Sequence, residues 1–131
     1  MVGVVRLFDL SAPPPGLPAG QRAQIGAWAG STRHFATTAE EFRAAPDTMA
    51  QAGAVRGLGN LPLAVVTAGE QSPGWLALQN ELTGLSTNSS HHLVDGATHT
   101  SVVDDPGHAR VTSAAIVEVV LAARNNRPLG R

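Results

Sequence analysis

The chain of 131 residues carries 9 basic and 10 acidic residues, which gives a formal net charge of −1, and it contains no cysteine. The charge balance argues against nucleic acid and anionic membrane surfaces as partners, since both are recognised through clustered positive charge. The absence of cysteine excludes disulfides, thiolate metal sites and a cysteine nucleophile. With 43% hydrophobic and 15% charged residues, the composition is that of one globular domain.

The N-terminal residues 1–57 predict helices and no strand. Residues 2–10 could form a helix that ends at the proline run 13–15, because proline lacks an amide donor and restricts the residue before it. This apolar stretch is too short to cross a bilayer and lacks the features of a signal peptide. We therefore expect neither a membrane anchor nor a secretion signal, and a cytoplasmic location.

Two further helical regions are predicted before residue 57. Residues 18–30 have apolar residues at helical spacing, although several glycines weaken this helix. Thr38 is predicted to cap a helix that runs to Pro46. The proline either kinks this helix or separates it from another one at residues 47–54.

From residue 58 the pattern changes to strand, helix, strand, helix. Residues 58–69 are a β-branched apolar run bounded by glycines, which favours a strand buried on both faces. Ser72 and Pro73 predict the N-cap and first residue of a helix, with an apolar stripe at Trp75, Leu78, Leu82 and Leu85. Residues 91–95 predict a short second strand, and a final helix begins at Asp105-Pro106. This order predicts an α/β fold with a parallel βαβ unit.

Residues 58–124 resemble the C-terminal part of an α/β-hydrolase-fold protein. The matching features are the strand at residues 62–69, a helix ending in "LS-N-S", the small-small-His of "GATH" at residues 96–99, and "DDP" before an amphipathic helix. The resemblance implies the last two strands of that fold, parallel and flanked by helices, with the histidine loop and the terminal helix. Residues 1–57 would be a helical cap-like segment, and residues 58–131 the C-terminal portion of the core.

The resemblance also implies a role for His99. In that family the histidine after the final strand is the general base that takes the proton of a serine nucleophile. His99 would then be the base of a hydrolase acting on esters or related small molecules, without a cofactor or metal. The orienting acid would be Glu70, just after the first strand, or a residue upstream of Met1. The alternative is that His99 only hydrogen-bonds within its polar loop.

The nucleophile of that family is missing from this sequence. It sits in a G-x-S-x-G turn between a strand and a helix, and the nearest string here, at residues 84–88, is only a half-match. Because this string ends a helix instead of following a strand, we expect Ser86 to be a helix-terminal residue. The nucleophile should lie upstream of Met1, and the chain alone should be inactive.

A cluster of histidines and aspartates between residues 91 and 108 raises the alternative of a metal site. The spacing does not include a His-x-x-x-His pair. His91 and His92, adjacent on a predicted strand, should point to opposite faces of the sheet. The pattern therefore does not favour a metal site.

A sheet of only these two strands would leave an apolar edge with unpaired N–H and C=O groups. We expect this edge to pair with a second copy of the chain or with an upstream polypeptide. A non-catalytic module that binds a partner through this edge is the alternative to a hydrolase segment.

Overall fold

The structure, a computed structural model, describes residues 13–130 of the chain. The helix predicted at residues 2–10 lies outside the described residues. The described part divides between Val55 and Arg56 into two compact units. The cap-like role of residues 1–57 stays a prediction.

In its described residues, 13–55, the first unit contains two helices, α1 (Ala19–Ala29) and α2 (Thr32–Gly53). The helix predicted at residues 18–30 is confirmed. The prediction that Thr38 is an N-cap is wrong, because α2 begins earlier, where the Ser31 hydroxyl accepts a hydrogen bond of 3.2 Å from the His34 N–H. Ser31 and Thr38 are both good capping residue types, and only the first of them has non-helical backbone here.

Pro46 lies inside α2, which continues to Gly53, so of the two predicted alternatives the separate helix at residues 47–54 is excluded. A proline removes one backbone hydrogen bond of the helix, and the turns on either side keep theirs. The helix is also poorly covered within its unit, since neither α1 nor α2 has a buried residue and the Phe42 side chain is 76% exposed.

The second unit contains a parallel two-stranded sheet flanked by helices. Val65 of the first strand lies opposite His91 of the second, and Ala68 lies opposite Val94. The predicted mixed α/β class and the parallel pairing are confirmed. In chain order the elements are β1 (Leu63–Ala68), α3 (Pro73–Glu81), a 3₁₀ turn (Leu82–Leu85), β2 (Ser89–Val94), α4 (Ser101–Asp104) and α5 (His108–Asn125).

Two adjacent histidines show that α3 and α5 cover opposite faces of the sheet. The Nδ1 atom of His91 lies 3.3 Å from Oδ1 of Asn80 on α3. The Nε2 atom of His92 lies 3.7 Å from Oε2 of Glu118 on α5. Successive residues of a strand point to opposite faces, so the unit has three layers, helix, sheet and helix. The prediction that His91 and His92 diverge is confirmed.

The helix α3 begins as the sequence predicts. The Ser72 hydroxyl accepts from the Trp75 N–H at 3.3 Å, and Pro73 is the first helical residue, where its missing N–H costs nothing. Its predicted apolar stripe is only partly covered, since the Trp75 residue is 46% exposed and Leu78 is 54% exposed.

Asp105 lies just before the last helix, which begins at His108 with Gly107 as its N-cap, so the start predicted at Asp105-Pro106 is too early. The Oδ1 atom of Asp105 accepts from the N–H of Gly107 at 2.8 Å and from that of His108 at 3.0 Å. These two hydrogen bonds lower the pKa of the Asp105 carboxyl below its ordinary value, and the bond from His108 has the larger effect. The carboxylate therefore satisfies backbone donors at the start of α5 that have no partner within the helix.

The core of the second unit is built from small side chains. Ala68, Val94 and Ala97 form its buried centre, with Val66, Val102 and Val111 packed against them. Larger apolar residues of α5 stay outside it, and Ile116 is 60% exposed. The unit thus leaves apolar surface beside β1 uncovered. Within residues 13–130 no helix has the length and apolar character needed to cross a membrane.

Candidate functional site

The turn after β1 is held against the loop that carries His99. The Gly69 N–H donates to the Val94 carbonyl at 2.9 Å, and the Glu70 N–H donates to the Ala97 carbonyl at 2.9 Å. Only glycine fits at position 69, since a Cβ atom there would lie 2.9 Å from the Val94 oxygen. The residue before Ala97 also needs glycine, because Gly96 has a φ of +68°. The sequence thus fixes the start of the histidine loop through two glycines.

His99 itself lies in this loop between β2 and α4, and its side chain is exposed. The flanking residues form reciprocal hydrogen bonds: the Thr98 N–H donates to Ser101 Oγ at 2.8 Å, and the Ser101 N–H donates to Thr98 Oγ1 at 3.2 Å. The Ser101 hydroxyl also lies 2.9 Å from Nδ1 of His108 on α5. The backbone around His99 is therefore held by the start of α4 and by α5.

The His99 side chain lines a cavity of about 290 Å³ at the carboxyl end of β1. One wall comes from the α3 side of the sheet, and the opposite wall comes from the histidine loop and α4. No residue of β2 contributes, so the cavity lies on the outer side of β1. The lining residues are Val66, Thr67, Ala68, Gln71, Trp75, Gln79, His99, Val102 and Val103.

Glu70, the candidate acid, is exposed and does not line this cavity. Within residues 13–130 the histidine ion pairs join His92 to Glu118 and His108 to Asp105, so no carboxylate pairs with His99. The structure brings the backbone of Glu70 to the histidine loop, without joining its carboxylate to the imidazole. The catalytic roles of His99 and Glu70 stay predictions.

Sequence reasoning missed the polar wall of the cavity. Thr67 lines it and is only 2% exposed, and its Oγ1 atom lies 2.8 Å from Nε2 of His91. Gln71 and Gln79 line it from the α3 side with Trp75 between them. Trp75 and Gln79 are four residues apart on α3, a spacing that brings side chains to one helical face and was an available signal.

Ser86, in the half-matching string, has a structural position. It directly follows the 3₁₀ turn, as predicted, and is buried. Its hydroxyl donates to the carbonyls of Leu61 and Gly59, and the backbone pairs with Gly59 in an isolated bridge. The hydroxyl therefore fastens the segment before β1 and is not presented to the cavity.

Nothing in the described range of residues 13–130 forms a group of three or more metal-ligating side chains. The cavity therefore offers an imidazole, two amide side chains, a buried hydroxyl and an indole. The imidazole can accept and donate a proton, and the other groups can form hydrogen bonds. For hydrolysis, a nucleophile in contact with His99 would have to come from another segment.

The outer edge of β1 has no strand partner in the described sheet, which contains β1 and β2 alone. The N–H of Leu63 donates to Asn88 at 3.0 Å and that of Gly69 donates to Val94 at 2.9 Å, at the two ends of the ladder. Because alternate residues of a parallel strand bond to the same neighbour, the N–H and C=O groups of Ala64, Val66 and Ala68 point outward. The cavity of His99 thus adjoins an open sheet edge.

Comparison with protein-family models, with curated proteins and with solved structures gives no match to this chain.

Proposed function

We propose that residues 58–131 form the C-terminal part of an α/β-hydrolase-type core in which His99 is the general base. The observation that supports this proposal is the position of the His99 ring, exposed and lining a cavity at the carboxyl end of a parallel strand. In open parallel sheets this end is where loops present functional groups to ligands. The nucleophile comes from a polypeptide that pairs with the outer edge of β1.

The chemistry of this proposal is acyl transfer. A serine hydroxyl within about 3 Å of the His99 ring attacks the ester carbonyl and gives its proton to the imidazole. The imidazolium then protonates the departing alkoxide, which leaves an acyl-enzyme. Water, deprotonated by the same ring, releases the acid and restores the serine. Gln71 and Gln79 would supply hydrogen bonds to the substrate, and Trp75 an apolar wall.

A test with p-nitrophenyl acetate addresses the chain alone. We expect turnover no faster than that of free imidazole, without a burst, because the nucleophile is absent. The residual rate should fall in His99→Ala and stay unchanged in His92→Ala, which removes a histidine that does not line the cavity. A burst, or turnover that survives His99→Ala, would contradict the role of His99.

The coding sequence that precedes Met1 gives the second test. The proposal expects a strand that ends in Gly-x-Ser-x-Gly there. In that longer product, His99→Ala should lower kcat by at least about 10⁴-fold, as loss of a triad base does. A coding sequence without such a strand would contradict the proposal.

A second candidate is a non-catalytic module that binds a partner through the edge of β1. The observation that favours it is the outward row of backbone groups at Ala64, Val66 and Ala68, which no described strand pairs. Addition of a strand at an open edge is a common mode of protein recognition. Activity of the longer product that depends on His99 would exclude this candidate.

A further inference from the structure

We propose that β1 of one chain pairs antiparallel with β1 of a second copy, about a two-fold axis at Val66. The proposal develops the second candidate function by naming its partner. The polypeptide that would complete a hydrolase core occupies the same edge, so one β1 accommodates either a second copy or that polypeptide.

The outward groups of β1 are self-complementary about Val66. With the axis at that residue, Val66 lies opposite Val66 of the second copy, and Ala64 lies opposite Ala68. Outward-facing residues that oppose each other in an antiparallel ladder exchange both N–H···O bonds. This register therefore pairs every outward N–H and C=O group between Ala64 and Ala68, whereas a shift along the edge leaves groups at the ends unpaired.

The outer edge of β1 also lacks the features that prevent exposed sheet edges from pairing with each other. Natural edges are protected by charged side chains, by proline within the strand or by bulges. The strand Leu63–Ala68 carries no charge and no proline, and its pairing with β2 is regular over all six positions. Two copies can approach this edge without repulsion between like charges.

The surface beside the edge is apolar as well. A groove of about 300 Å³ lies between β1 and α5, and none of its lining residues is charged. An axis normal to the sheet keeps both α5 helices on the same face, so Ile116 and Val120 of the two copies face each other across the seam. These residues are 60% and 39% exposed in the single chain. The lining residues are Pro62, Leu63, Ala64, Val66, Thr112, Ala115, Ile116, Val119 and Val120.

The experiment is the solution mass of the 131-residue chain, by sedimentation or light scattering over a concentration series. We expect a dimer of twice the 13.5 kDa chain mass. Val66→Pro removes an outward N–H without touching the β1–β2 ladder, and should give the monomer mass. Leu93→Pro is its matched control, since alternation places the Leu93 N–H on the outer edge of β2, and it should stay dimeric.

A second pair of variants avoids changes to the backbone. Ile116→Asp places facing charges at the seam and should give a monomer, whereas Val117→Asp, at a 55% exposed residue outside the groove, should leave the dimer intact. If Val66→Pro loses its helical circular dichroism and therefore does not fold, the solution mass of the Ile116→Asp chain tests the proposal in its place. A chain that stays monomeric at about 1 mM overturns the proposal. A dimer lost in Leu93→Pro but kept in Val66→Pro and Ile116→Asp also overturns it. The ester assay is independent of these masses, so the two proposals can fail separately.

Discussion

The hydroxyl of Thr67 lies 2.8 Å from Nε2 of His91 and joins β1 to β2 on the face that α3 covers. The Nδ1 atom of the same ring lies 3.3 Å from Oδ1 of Asn80. In the tautomer with the proton on Nδ1, the ring donates to the Asn80 amide oxygen and Nε2 accepts from the Thr67 hydroxyl. One imidazole thus connects three elements of the unit.

Thr67→Val should destabilise the chain, because it leaves the acceptor of His91 without its buried donor. The expected loss in the free energy of unfolding is about 1–3 kcal/mol, measured by urea denaturation. Thr37→Val, at an exposed residue of α2, is the control and should change stability by less than about 0.5 kcal/mol. Equal losses in both variants would show that the Thr67–His91 bond contributes nothing specific.

Gly69→Ala should also destabilise the chain, since the new Cβ atom would lie 2.9 Å from the Val94 oxygen and 3.1 Å from the Asp95 Cα. Both neighbours are backbone atoms, so β1 and the histidine loop must separate, at a cost of about 1–3 kcal/mol. Gly74→Ala, on α3, has open space around its Cβ position. It should be stabilising by up to about 1 kcal/mol. Thermal unfolding of the two variants measures the contrast, and a stable Gly69→Ala chain would contradict the close contact.

The carboxylate of Asp105 should stabilise the chain in a pH-dependent way. Its pKa is lowered on folding by the N–H groups of His108 and Gly107. A lowered pKa means that the stabilisation is fully present above the unfolded value of about 3.8, and is lost as the pH falls through the folded value. Asp105→Asn keeps an acceptor oxygen but does not titrate. The stability difference between the two chains should therefore shrink on acidification, measured by urea denaturation at several pH values. A difference that grows below pH 4 would contradict this assignment.

The sequence predicted those elements whose determinants are local. The helix start at Ser72, the apolar strand around Val65 and the divergence of His91 and His92 follow from capping chemistry and the two-residue period of a strand. The cap predicted at Thr38 is wrong because Ser31, seven residues earlier, is an equally good capping residue type and begins the helix instead.

The candidate site could be predicted only in part, for a similar reason. The loop of His99 was recognisable from its small polar residues and its place after a strand. Thr67 was not, because its position depends on the contact between β1 and His91 of β2, which is distant in the chain. The outward direction of the Val66 backbone groups likewise depends on which residues begin the ladder with β2, and this register is set by pairing and not by one strand alone.

The measurement that tests the central claim most directly is residue-resolved amide hydrogen exchange along β1, in the monomeric Val66→Pro chain. If the outer edge is open, the amides of Ala64 and Ala68 exchange rapidly, while those of Val65 and Thr67, bonded to β2, are protected. Equal protection of all four amides would show that the edge is already covered in the single chain, and would contradict both proposed uses of it.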